Sequence, residues 1–139
     1  MEPNETKKVR TAVIGLGKLG ILHMSVVNMI PNAELCAIAD VNKGLAKYVE
    51  QAGIKAPFYS DTDRMIAEVR PDAAVLCTPA FANLPVVEQC LVRDMDLFTE
   101  KPLAHTFEAA KKMMAHAAKR NMVNATGYLF AHMGIYKRA

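Results

Sequence analysis

The sequence has no tryptophan, three cysteines, and only seven glycines and seven prolines in 139 residues. Cys36, Cys77 and Cys90 are odd in number, far apart and without CxxC spacing. That excludes zinc ribbons, thioredoxin-like motifs and a secreted disulfide framework. Scarce glycine and proline exclude collagen-like and low-complexity chains. No run approaches about 18 uninterrupted apolar residues, the length a membrane-spanning helix needs, so no membrane partner is expected. Residues 1–8, MEPNETKK, lack the apolar core of a secretory signal, and the cytoplasm is the expected compartment. His23, His105, His116 and His132 show no HExxH or other paired-ligand spacing, so no metal site is expected. Acid is scarce at one end: residues 1–100 hold 10 Lys/Arg against 13 Asp/Glu, residues 101–139 hold 7 against one, Glu108. Basic residues interleaved with stacking aromatics, as single-strand binders use, are missing, so nucleic acid is not an expected partner.

What is present is apolar and patterned. With 52% hydrophobic residues the chain can bury a core of its own as one domain. Short apolar runs alternate with helix-like segments. Strands are expected at 9–14, 35–39, 73–77, 97–99 and 122–126, with a short edge strand at 58–59. The intervening helices are expected to begin near Leu19, Asn42, Ser60–Asp63, Pro85 and Thr106. On the first of them Leu19, Leu22, Val26 and Met29/Ile30 form the apolar stripe; on the last, Ala110, Met114 and Ala117/Ala118 do. Alternation of this kind is the pattern of an α/β doubly wound parallel sheet with helices on both faces.

The decisive segment is Gly15-Leu16-Gly17-Lys18-Leu19-Gly20, a GxGxxG that follows a predicted strand and opens a predicted helix. Gly15 permits the tight turn, Gly17 lets backbone approach a diphosphate, and Gly20 lets helix pack on strand. The N–H groups of Leu16 to Leu19 are expected to face the diphosphate at the positive end of the helix dipole. Asp40 lies 20 residues past Gly20 at the end of the second strand, where an acid binds adenosine ribose hydroxyls and repels a 2′-phosphate. NAD is therefore the expected cofactor, with NADP kept open by the nearby Lys43. No further FAD segment accompanies the loop.

That loop, Asp40, Cys77-Thr78-Pro79 and Glu100-Lys101-Pro102 together resemble the N-terminal NAD(P)-binding Rossmann domain of the Gfo/Idh/MocA oxidoreductase family, over nearly the whole chain. The EKP triplet is the most specific part. The resemblance implies hydride exchange between a nicotinamide and a sugar, cyclitol or related hydroxyl–carbonyl pair. It implies that Thr78 and Pro79 line the dinucleotide channel, that Glu100 and Lys101 sit by the nicotinamide, and that Lys101 is the catalytic group reaching the substrate oxygen. The Lys101–Pro102 bond is expected to be cis in the manner of relatives. It also implies a division into a polar tail (1–8), the dinucleotide-binding domain (9–128) and the start of a crossover (129–139) to a second domain that this chain lacks.

The chain departs from the family at two places. Asn83 stands where members often carry His, and Gly127-Tyr128-Leu129-Phe130 runs into Ala131-His132 rather than an Arg–aromatic pair. His23, His116 and His132 read as structural. Self-association through Leu129, Phe130, Met133, Ile135 and Tyr136 is expected of a chain without the second domain. Two other readings stay open at this point: a stand-alone non-catalytic nucleotide-binding or interaction module, and a different dinucleotide enzyme of the dihydrodipicolinate reductase type.

Overall fold

The six apolar runs become six parallel strands in the order β3-β2-β1-β4-β5-β6. In chain order they are β1 (Val9–Ile14), β2 (Ala33–Ala39), β3 (Phe58–Tyr59), β4 (Ala73–Leu76), β5 (Asp96–Thr99) and β6 (Asn124–Thr126). Among the described residues five α-helices connect them, α1 (Lys18–Met29), α2 (Ala46–Gln51), α3 (Thr62–Val69), α4 (Ala80–Leu91) and α5 (Phe107–Lys119), with a 3-10 turn at Lys43–Leu45 before α2. This computed structural model describes residues 7–119, 122–129 and 133; the expectations for Phe130, His132, Ile135 and Tyr136 lie outside them. Among the described residues no helix is long and apolar enough to cross a membrane.

Strand side chains alternate between faces, and the core divides accordingly. Ala12, Ile14, Ala37 and Ala39 pack with Met65 and Ile66 of α3, Val87 and Leu91 of α4, and Met113 and Ala117 of α5. Val13, Ile38 and Val75 turn the other way, onto Met24 and Val27 of α1 and Val49 of α2. Helices therefore cover both faces, as a near-continuous apolar β4 requires. Chain turns follow local chemistry. Asn42 Oδ1 accepts from Gly44 N at 3.0 Å, Asp61 Oδ1 caps α3 through Arg64 N at 3.0 Å, and Thr106 Oγ1 caps α5 through Ala109 N at 3.1 Å.

Three expectations fail. The expected stripe of α1 faces outward: Leu22 and Met29 are among the exposed large apolar side chains, while Gly20, Met24 and Val27 are buried. The cause is Gly20. A Cβ there would overlap the Gly15 carbonyl oxygen, so this position must face the sheet, and the residues four and seven along follow it inward. Helix α4 begins at Ala80, not near Pro85, because Pro79 serves as its N-cap; Pro85 lies inside the helix, where the backbone bond it cannot make falls at the exposed Phe81. On α5 the buried pair is Met113 and Ala117, and Met114 is exposed.

Candidate functional site

The strand order reverses between β1 and β4, and open α/β sheets bind ligands in the crevice outside the carboxyl ends of strands at such a point. Here β1 runs into Gly15, β2 into Asp40, β4 into Cys77-Thr78-Pro79 and β5 into Glu100-Lys101. A cleft of about 540 Å³ lies there, lined by Gly15, Gly17, Asp40, Cys77, Thr78 and Pro79 among others. Another cavity of about 280 Å³, lined chiefly by residues of α4, α5, β5 and β6, contains none of the residues expected to bind the cofactor or the substrate.

The glycine loop is built by contact distances. Gly15 has φ 90°, and a Cβ on it would stand 2.8 Å from the Cys77 carbonyl carbon, so no side chain fits. Gly17 is the N-cap of α1 with no side-chain cap, and a Cβ there would meet nothing within 4 Å. This is the open side of the loop. The first helical bond runs from Ile21 N to Gly17 O at 3.0 Å, which leaves the first-turn N–H groups without intrahelical acceptors at the positive end of the dipole.

One expectation changes here. Leu16 N–H donates to Asp40 Oδ2 at 2.7 Å, and the Leu16 side chain is buried in the core. That amide is spent on Asp40 and does not face a diphosphate; Gly17, Lys18, Leu19 and Gly20 carry the remaining donors. Lys18 and Leu19 are exposed and Gly20 is buried. Asp40 Oδ1 accepts from Asn42 N at 2.8 Å. Both carboxylate oxygens thus have a backbone donor, and the acid is locked to the loop it serves.

The β4–β5 side is held by side chains. Thr78 Oγ1 donates to Asn83 Oδ1 at 2.6 Å, and Asn83 Nδ2 donates to Leu103 O at 3.0 Å and Pro102 O at 3.4 Å. Asn83 is 1% exposed, so these bonds form in a dry environment where an unpaired amide costs most. The residue that departs from the family pattern ties the TP turn to the segment after Lys101. Lys101 itself is exposed, and its peptide bond to Pro102 is cis.

Glu100 does not pair with the Lys101 ammonium. Its Oε2 accepts from Lys101 N at 3.1 Å, and its Oε1 lies 2.8 Å from His23 Nε2. His23 of α1 is therefore no bystander, and the sequence carried no signal that could match it with a residue 77 positions away. Cys77 is half-buried at the cleft wall; burial, helped by the negative charge of Glu100, pushes its thiol up to about 12, so it is a neutral wall group at ordinary pH. Among the described residues no three His, Cys, Asp or Glu side chains gather as a metal site would require.

A parallel sheet of this order, with a glycine loop between β1 and α1 and an acid ending β2, defines a dinucleotide-binding domain. Comparison with known proteins gives the particular kind. Residues 9–128 match the pattern described as "Oxidoreductase family, NAD-binding Rossmann fold", GFO_IDH_MocA. The chain belongs to this Gfo/Idh/MocA oxidoreductase family, as its NAD-binding domain. It is 30% identical over 121 residues to the myo-inositol 2-dehydrogenase of Thermotoga maritima, covering 86% of this chain and 36% of that protein. It is 27% identical over 124 residues to the scyllo-inositol 2-dehydrogenase (NAD(+)) of Bacillus subtilis, covering 88% and 36%. The solved structure of scyllo-inositol dehydrogenase from Lactobacillus casei, with bound NAD(H) and scyllo-inositol, shares the fold at a TM-score of 0.83 and 24% identity, over 95% of this chain and 39% of that one. The chain thus spans about a third of the length of the curated relatives it matches.

Proposed function

We propose that this chain is the cofactor half of a dehydrogenase that exchanges hydride between NAD and a ring hydroxyl of a cyclitol or related sugar. The observation that carries the reading is the joint geometry of loop and acid: Gly15 and Gly20 admit no Cβ, Gly17 is open, and Asp40 is fixed to Leu16 N. A cradle with free first-turn donors beside a fixed carboxylate fits a diphosphate flanked by a ribose. Gly17, Lys18, Leu19 and Gly20 would hold the diphosphate, and Asp40 the adenosine ribose. Cys77, Thr78 and Pro79 would wall the far side, with Glu100 and Lys101 at the nicotinamide end. Bound there, NAD supplies or accepts the hydride. The exposed Lys101 ammonium would stabilise negative charge on the substrate oxygen and hold the proton that moves to or from it. Cyclitols are favoured as substrates because the relatives named above are inositol dehydrogenases.

Residues 9–128 form the cofactor domain in this reading, with 129–139 leading to a second domain that supplies the rest of the substrate pocket. On its own the chain would turn over no polyol at a useful rate, since about 1 Å of misplacement costs 10²-fold. Titration calorimetry with NADH and NADPH tests the assignment. NADH should bind, and more tightly than NADPH, because Asp40 repels a 2′-phosphate. Heat with neither would overturn the cofactor reading, and tighter NADPH would overturn the role of Asp40.

A further inference from the structure

His23 sits on α1, the helix whose first turn opens onto the cleft, and it reaches across to β5. Phe98 lies in β5 and Glu100 one residue past its end, and both meet it. The His23 and Phe98 rings are 5.1 Å apart, tilted by 54°, and His23 Nε2 lies 2.8 Å from Glu100 Oε1. Both side chains are mostly buried, with 21% and 14% of their surfaces exposed. A carboxylate only accepts, so the imidazole Nε2 carries the proton of this bond. The third wall is Gly127, just past β6: a Cβ there would come within 3.3 Å of Glu100 Cδ and Oε1. Glu100 thus lies between α1 and the residue that follows β6, and its second oxygen, Oε2, accepts from Lys101 N. The two oxygens belong to one rigid plane. Whatever fixes Oε1 also fixes the acceptor that holds the Lys101 backbone.

We propose that His23 is a positioning residue: it orients the Glu100 carboxylate and, through it, the Lys101 backbone at the nicotinamide end of the cleft. The inference rests on the cofactor reading above and adds a division of labour to it. One helix serves both ends of the dinucleotide, with its first turn at the diphosphate and its second turn, through His23, at the β5 end. Asp40 is held separately, by Leu16 and Asn42, so the adenosine side should not register the loss of His23.

Two ligands separate a positioning role from a merely structural one: NADH, and ADP-ribose, which lacks the nicotinamide. His23→Phe keeps the ring against Phe98 and removes the N–H; His23→Gln restores a donor at the reach of Nε2. In calorimetry His23→Phe should bind NADH about tenfold more weakly, the scale of one orphaned partner, with ADP-ribose within about twofold, and His23→Gln should recover most of the loss. Equal losses for both ligands with a lowered melting temperature would make His23 structural and overturn the proposal, as would no loss for either. A second measurement needs no ligand. In amide-resolved NMR the Lys101 N–H signal should move in His23→Phe and return in His23→Gln; an unmoved signal overturns the proposal. If the parent chain binds neither NADH nor ADP-ribose, the cofactor reading fails and the nicotinamide role falls with it. The Lys101 signal then still decides whether His23 holds the carboxylate.

Discussion

The two sides of the cleft are built by different means. On the β2 side a charged group is held by backbone: Asp40 receives the amides of Leu16 and Asn42 and has no side-chain partner among the described residues. On the β4–β5 side side chains hold other segments: Asn83 joins Thr78 to Pro102 and Leu103, and His23 joins α1 to Glu100. Backbone donors come with the fold, whereas a side-chain bolt can be lost in one substitution. The β2 side should therefore be damaged mainly by changes that move backbone, and the β5 side by single polar replacements that leave the backbone trace intact.

The harshest test of the first half of that statement is Gly20→Ala. Its new methyl would overlap the Gly15 carbonyl oxygen, a backbone atom, so loop and helix must separate. Overpacking of this kind costs about 3 kcal/mol, and NADH binding should be lost; chemical denaturation with calorimetry would read both. A variant of unchanged stability would mean that the loop yields freely, and the contrast between the two sides would fail.

Next in size is Asn83→Ala. It leaves the Thr78 hydroxyl and two carbonyls without their partner in a site 1% exposed, at a cost of about 2 kcal/mol. Asn83→Asp is the sharper variant: it keeps the acceptor for Thr78 but sets a carboxylate oxygen against the Pro102 and Leu103 carbonyls, and should be at least as damaging. Denaturation midpoints rank the two.

Alkaline pH gives a third test. Cys77 and Cys90 are both pushed up to about 12 from 9.0, chiefly by burial. Above pH 9 the unfolded chain releases these protons while the folded chain keeps them, so the unfolded state binds fewer protons and stability must fall as pH rises from 9 toward 12. The contribution is intact below pH 9. Cys77→Ala should flatten part of that decline, as thermal melts between pH 8 and 11 would show; an unchanged slope would remove the thiol from the account. The smallest effect belongs to the outer face of α1. Met29→Glu, at a position 74% exposed, should change stability by less than about 0.5 kcal/mol while reducing any concentration-dependent light scattering, the sign of the self-association that exposed apolar clusters favour.

The same contrast explains what could be read in advance. Sheet, helices and the β2 side were legible because their causes are local: β-branched runs, a glycine loop, an acid at the end of a strand. The outward stripe of α1 was not, because apolar spacing counts glycine as blank while packing leaves Gly20 no room for a Cβ. The start of α4 differs from the expected Pro85 because the turn after β4 makes Pro79 its N-cap and leaves Pro85 inside the helix. The Leu16 amide was assigned outward since nothing in the motif says that Asp40 claims it. The long-range bonds of Asn83 and His23 lay beyond reach: Asn83 meets Pro102 and Leu103 across 19 and 20 positions and His23 meets Glu100 across 77, and only folding makes them neighbours.

Gly127 ties the surroundings of Glu100 to a late part of the chain. The glycine loop leaves the ribosome early, yet Glu100 gains its Gly127 wall only when residue 127 arrives, after the last strand among the described residues. During synthesis the Gly15–Gly20 loop is therefore made well before the Glu100–Lys101 corner can be enclosed. A chain shortened past β5 would carry the loop without the residue that closes in on Glu100.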